Sequence, residues 1–293
     1  MLVGIILTAC LVFATANAAD KDEFSYDEQD EWPGACMTSS NTGRQSPIDI
    51  VTKDVRESSR LTELRLGDGW RMPISGEYRN NGPGKNVQFD PTNSSVMTTN
   101  YLGNYSVLQM HMHWGANNGQ GSEHTIDRRK YPLELHFVHQ KIGEPNSTIR
   151  DDFAVIGVFA EADNDMSISG VWEQLNILAI RSFNAVVDVS DLIYSDLLPS
   201  SLDYYHYPGS LTTPNCSEVV QWFVLKEPIK VPSEYLTKLR MIETEDGSSL
   251  TLNFRDVQPL GERMVKTPGS GSPKLVASAL SILMAVFMTL YFS

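Results

Sequence analysis

The chain predicts a mainly β fold of the α+β type, one sheet with peripheral helices, on three observations. Short runs rich in β-branched and aromatic residues, bounded by Gly, Pro or Asn, recur at 107–114, 133–139, 153–159 and 219–225. Helical spacing of apolar residues is confined to 171–179 and 233–241, the second with Pro232 at its start. Between an apolar beginning and an apolar end lie roughly 250 residues with no internal repeat or low-complexity linker, enough for one large domain with a substantial core.

Taken in order, residues 1–18 open on an apolar run closed by Ala16-Asn17-Ala18, a small-x-small cleavage pattern. They predict a secretory signal peptide, although no Lys or Arg stands at its front. A membrane anchor is the alternative, for which the run is short. Cys10 leaves with the peptide. The domain then occupies 19–266 and a C-terminal segment 267–293. The net charge of −13 belongs to the part between the ends, because neither 1–18 nor 275–293 carries a charged side chain. An acidic surface disfavours nucleic acid as a partner. The cluster Asp27-Glu28-Gln29-Asp30-Glu31 reads as a solvated surface segment and receives no function. Asn93, Asn104, Asn146 and Asn215 each begin an Asn-x-Ser/Thr tripeptide, a glycosylation pattern that matters in an exported chain.

The strand at 107–114 carries the chemistry. Side chains alternate with period two, so Gln109, His111 and His113 share one face while Met110 and Met112 take the other. At 134–139 the same alternation puts Glu134, His136 and Val138 on one face, where a third imidazole joins the first two if the strands are neighbours. Five of the six histidines fall between His111 and His139. Three neutral imidazoles and one open position make a catalytic zinc site, whereas structural zinc is usually closed by four ligands rich in cysteine. A lone strand histidine is usually a satisfied core residue; two on one face, followed by Glu-x-His, reverse that expectation.

Gln-Met-His-Met-His-Trp-Gly at 109–115, Gly-Ser-Glu-His-Thr at 121–125, Glu-Leu-His-Phe-Val-His at 134–139 and Ser-Leu-Thr-Thr-Pro at 210–214 together resemble the alpha-class carbonic anhydrases in order and spacing. Gln45-Ser46-Pro47-Ile48, Tyr207-Pro208-Gly209 and Asn253-Phe254-Arg255 extend the resemblance over about Tyr26 to Arg263. It implies a large, twisted, mainly antiparallel sheet with zinc at the bottom of a conical cleft, and the interconversion of CO2 and bicarbonate. It further implies zinc on His111, His113 and His136, with Gln109, Glu134 and the Asn253 carbonyl as the respective partners of His111, His136 and His113. Thr212 would pass its hydroxyl proton to Glu123, and Thr213 would line the bicarbonate site. Val138, Val155, Leu211, Val220 and Trp222 would wall the CO2 pocket, with Asn81 and Asn86 on its wetter side. Alternating apolar strand residues are otherwise ordinary core.

Cys36 and Cys216 remain after processing, and an even count in an exported chain reads as one disulfide. Extracellular members of the resembled family carry a bridge at matching places. Closing so long a loop stabilises by about 4 to 5 kcal/mol in the chain-entropy picture. The bridge counts against glycosylation of Asn215, whose tripeptide contains Cys216.

Residues 275–292 are apolar and uncharged, long enough to span a bilayer, and only Ser293 follows. No basic residue closes the segment, and small residues stand upstream at 269–272, which favours a glycosylphosphatidylinositol signal. The spacer Pro273-Lys274 is short for that pattern, and a plain membrane span is the alternative. The reading is thus an exported enzyme at the extracellular face of the cell, anchored to the membrane by its C-terminus. The rival is a catalytically silent relative acting as an extracellular binding module; such relatives have lost zinc-ligand histidines, and all three positions are filled here. One departure stands out: where many family members carry a proton-relaying histidine partway up the cleft, a gapless reading of 80–87 places Pro83.

Overall fold

The computed structural model describes residues 24–37, 43–82, 84–92, 96–99, 103–143 and 152–269. The expected signal peptide, the apolar tail, Pro83, Asn93 and Asn146 lie outside them. In chain order the strands are β1 (Asp49–Ile50), β2 (Arg56–Ser58), β3 (Arg65–Leu66), β4 (Ile74–Asn81), β5 (Asn86–Pro91), β6 (Val96–Thr99), β7 (Gly103–Trp114), β8 (Thr125–Ile126), β9 (Leu133–Lys141), β10 (Phe153–Asp163), β11 (Val186–Leu192), β12 (Tyr204–Gly209), β13 (Val220–Leu225), β14 (Ile229–Pro232) and β15 (Lys266–Pro268). The α-helices are α1 (Val171–Gln174) and α2 (Ser233–Leu239).

One sheet dominates, in the order β11-β4-β5-β7-β9-β10-β13-β12-β15-β2, with β14 beside β10, β6 beside β7 and β3 beside β6. The pairs β10–β13, β10–β14 and β15–β2 are parallel and the others antiparallel, so the sheet is mainly antiparallel, as expected. Two further strands, β1 and β8, form a small parallel pair. The central strands β7, β9 and β10 are buried on both faces, which explains their dense apolar runs. Met110, Met112, Leu135 and Phe137 turn to the larger core cluster, with Trp70, Tyr78 and Tyr194. Val138, Val155, Trp222 and Tyr207 belong to a second cluster. That second side also receives the histidines.

The stretch 171–179 is not one helix. After α1 the backbone leaves helical geometry at Leu175 and Asn176 and resumes as a 3-10 turn, Ile177–Ile180. Asn176 causes the break: its side chain accepts the Leu178 N–H at 3.1 Å, competing with the helical ladder. Helix α2 follows Pro232 as the sequence predicts and ends at Leu239, two residues early. Among the described residues no helix is long and apolar enough to cross a membrane.

Candidate metal centre and its cleft

Antiparallel register sets the site. Across β7 and β9, Gln109 faces Val138, His111 faces His136 and His113 faces Glu134, after a bulge at Leu108. One ring nitrogen from each of His111, His113 and His136 falls within 4.8 Å of the others, and all three residues are buried. The far nitrogens are each committed. His111 Nδ1 donates to Gln109 Oε1 at 2.8 Å, His113 Nδ1 to the Asn253 carbonyl at 2.7 Å and His136 Nε2 to Glu134 Oε1 at 2.7 Å. Those acceptors fix the tautomers, because a carbonyl or carboxylate oxygen offers no proton. Lone pairs therefore remain on His111 Nε2, His113 Nε2 and His136 Nδ1. His113 Nε2 is buried with no hydrogen-bond partner, an orphan of the kind a metal ion resolves. Burial holds His111 well below the usual imidazole value, and the His113 and His136 rings push the same way. Burial also lowers His113, against the pull of Glu123. Neutral rings are the form that binds metal.

A second layer locks the first. Glu134 Oε1 also meets His124 Nδ1 at 2.7 Å, and Oε2 accepts the His124 backbone N–H at 2.9 Å. Burial would raise the Glu134 pKa, but the His124 and His136 rings and their hydrogen bonds override it and hold the carboxyl well below its usual range. His124 Nε2 lies 2.6 Å from the Tyr207 hydroxyl, which donates to Ser46 Oγ at 2.9 Å. With both nitrogens of His124 engaged, the grouping of His124, Glu134 and His136 is a hydrogen-bond relay and not a second metal site. Gly157, opposite His136 on β10, gives the carboxylate room: a Cβ there would lie 3.2 Å from Glu134 Oε1.

Glu123 is fully buried. Its Oε1 accepts the Arg255 backbone N–H at 2.9 Å and lies 3.5 Å from His113 Nδ1, while Oε2 has no hydrogen-bond partner. The Arg255 guanidinium donates to Gln45 Oε1 at 2.9 Å and to Ser46 O at 2.7 Å. Ser46 in turn exchanges hydrogen bonds with Ser210, Ser46 N to Oγ at 2.9 Å and Ser210 N to Ser46 Oγ at 3.0 Å, which fixes the start of the Thr212 loop. The end of that loop is held by the Cys36–Cys216 disulfide.

Above the histidines opens a cavity of about 590 Å³. Its wall includes His111, His136, Thr212, Thr213, Leu211 and Trp222. The eukaryotic-type carbonic anhydrase family model matches residues 27–269 of this sequence. The chain belongs to that family. It is 31% identical over 278 residues to mouse carbonic anhydrase 4, covering 88% of this chain and 87% of that protein. Human carbonic anhydrase 7 is 38% identical over 236 residues, 76% of this chain and 88% of the relative, and its mouse counterpart is 37% identical over the same length. Zinc is the cofactor of carbonic anhydrases, and the donor set of three neutral, buried imidazoles fits it.

Of the residues that the family resemblance singles out for this carbonic anhydrase, Val138, Val155, Asn81 and Asn86 also line the cavity. Val220 does not; it is fully buried and packs with Val155 and Trp222 in the second core cluster. Gln109 reaches the cavity wall, whereas Glu123, Glu134 and Asn253 stay buried beneath it. Asn104 is exposed, and Asn215 is exposed at the cavity wall. Sequence reasoning assigned no role to His124, Tyr207, Ser46 or Arg255. Their motifs were visible, but the hydrogen bonds that join them span 83 to 209 positions. It also gave no function to the acidic stretch at 27–31, of which Glu28 and Glu31 line the cavity.

Proposed function

We propose that this chain catalyses the reversible hydration of CO2 to bicarbonate and a proton, with zinc held by His111, His113 and His136. The observation that carries the reading is the convergence of three imidazole lone pairs, one of them an orphan, at the floor of a cavity. When bound, zinc supplies the Lewis acidity that brings a water's pKa down to about 7, a general property of carbonic anhydrases. The chain's own residues do the rest. Gln109, Glu134 and the Asn253 carbonyl orient the ligands and keep their lone pairs inward. Glu123 keeps Oε1 on the Arg255 N–H and leaves Oε2 without a partner, Thr212 included; that oxygen is assigned as the acceptor of the Thr212 hydroxyl hydrogen during turnover. Thr212 is then left to accept, and not to donate, toward the cavity. Val138, Val155, Leu211 and Trp222 give apolar CO2 an apolar wall, with Val220 packed behind it, and Thr213 lines the place where bicarbonate forms.

The reading includes the ends of the chain: a signal peptide at 1–18, a catalytic domain at 19–266 and a C-terminal lipid-anchor signal within 267–293, placing the enzyme at the extracellular face. The disulfide supports export, since such bridges persist in oxidising compartments. Assay of CO2 hydration with and without a zinc chelator tests the activity against the silent alternative. His136→Ala should abolish both stoichiometric zinc, by elemental analysis, and hydration; full zinc content with normal activity rejects the assignment.

A further inference from the structure

The acidic stretch at 27–31 is part of the cleft. Glu28 and Glu31 are exposed and line the same cavity as His111, His136 and Thr212. Their segment is pinned: Gln29 Nε2 donates to Phe254 O at 3.2 Å and Gln29 Oε1 accepts from Asp256 N–H at 2.8 Å. Neighbouring Asp27 and Asp30 are exposed too. Lys85, whose Nζ lies 5.9 Å from the Phe24 ring centroid, and Arg255, whose guanidinium lies 5.7 Å from the Trp32 ring centroid, return two positive charges against these four carboxylates. This side of the mouth is therefore net negative.

A second observation agrees in sign. Asn86 lines the cavity, is only 6% exposed, and keeps Oδ1 buried without a hydrogen-bond partner while Nδ2 donates to Gly84 O at 3.2 Å. The oxygen is not itself reachable from the cavity, but it places the negative end of an amide dipole in a residue of the wall, which disfavours an anion in front of it.

We propose that Glu28 and Glu31 are specificity-determining residues that weaken the hold of the cleft on anions, bicarbonate among them, while leaving entry of CO2 untouched. CO2 carries no net charge, so the field of the mouth does not steer it. A monoanion feels two carboxylates over a distance on the order of 10 Å, which corresponds to about three- to tenfold in affinity at low salt. The equilibrium between CO2 and bicarbonate is fixed by thermodynamics, so neither direction of turnover is favoured. What changes is the residence of bicarbonate and the sensitivity to inhibitory anions.

The inference rests on the metal-centre reading, because the anion at stake is one that reaches His111, His113 and His136. The test is calorimetric titration of azide into the zinc-loaded protein, as wild type, as Glu28→Gln/Glu31→Gln and as Glu28→Asp/Glu31→Asp. At about 0.01 M ionic strength the Gln variant should bind azide about three- to tenfold tighter than wild type, and the Asp variant should match wild type. Raising the ionic strength to about 0.15 M with sodium sulfate shortens the Debye length to about 8 Å and should shrink the ratio toward one. Equal affinity of wild type and Gln variant at low salt, or an Asp variant as tight as the Gln variant, overturns the proposal. Absence of azide binding in all three proteins would instead sink the metal centre, and the proposal with it.

Discussion

At the scale of single residues, each ligating imidazole is oriented by a chemically different acceptor: a side-chain amide for His111, a backbone carbonyl for His113 and a carboxylate for His136. Proton disposal finds no comparable provision in Asn81, Gln88 or Pro83: Asn81 and Gln88, in the cleft wall, cannot take up a proton at neutral pH, and neither can Pro83, which the sequence puts at the position of the relay histidine. Regeneration of the active form, and not attack on CO2, should then limit turnover at low buffer concentration. Raising imidazole should increase kcat and leave kcat/KM nearly unchanged, and Pro83→His should reduce that dependence. A high, buffer-insensitive kcat in the wild type contradicts this and points to another relay group. Strand alternation made His111, His113 and His136 legible, since faces follow from period two alone. His124 was not, because its second partner, Tyr207, lies 83 positions away and meets it only in the folded sheet.

At the scale of elements, β9 is the hinge of the design, flanked by β7 with the other two histidines and by β10 with Gly157. Gly157→Ala should force the Glu134 carboxylate aside, since the added Cβ would sit 3.2 Å from Oε1. Overpacking of this kind costs about 1 to 3 kcal/mol, and disturbing a ligand's partner lowers metal affinity roughly tenfold or more. Thermal unfolding and competition with a chelator measure the two effects; an unchanged Tm and unchanged zinc affinity would show that the glycine is incidental. The same strands were legible as strands, but their order was not, because pairing partners such as β10 and β13 are parallel and distant in sequence. The stretch at 171–179 misled for a local reason: apolar spacing continued through Asn176, whose side chain captures a backbone N–H and ends the helix.

At the scale of the whole molecule, burial sets a lower limit of pH for stability. It pushes His139 and His206 down to about 4, although hydrogen bonds to each pull the other way. In the unfolded chain both return to about 6.5. Between those values the unfolded chain binds protons that the folded one refuses, so stability is full above about 6.5, falls as the pH drops, and levels off below about 4. Each histidine contributes on the order of 3 kcal/mol to that fall. Urea midpoints from pH 7.5 to 4.5 should decline, and less steeply in His206→Gln; identical slopes would remove His206 from the account. The proposed membrane attachment is tested at this scale too. Phosphatidylinositol-specific phospholipase C should release activity from intact cells into the medium, and retention, where a control anchored protein is released, would favour a membrane span. One feature of the site reaches back to biosynthesis. The carbonyl that aims His113 comes from Asn253, and the N–H that holds Glu123 comes from Arg255. A ribosome that has delivered every ligand has also delivered Gln109 and Glu134, but not the carbonyl that aims His113, so a growing fragment that stops short of Asn253 should hold zinc more weakly than the finished chain.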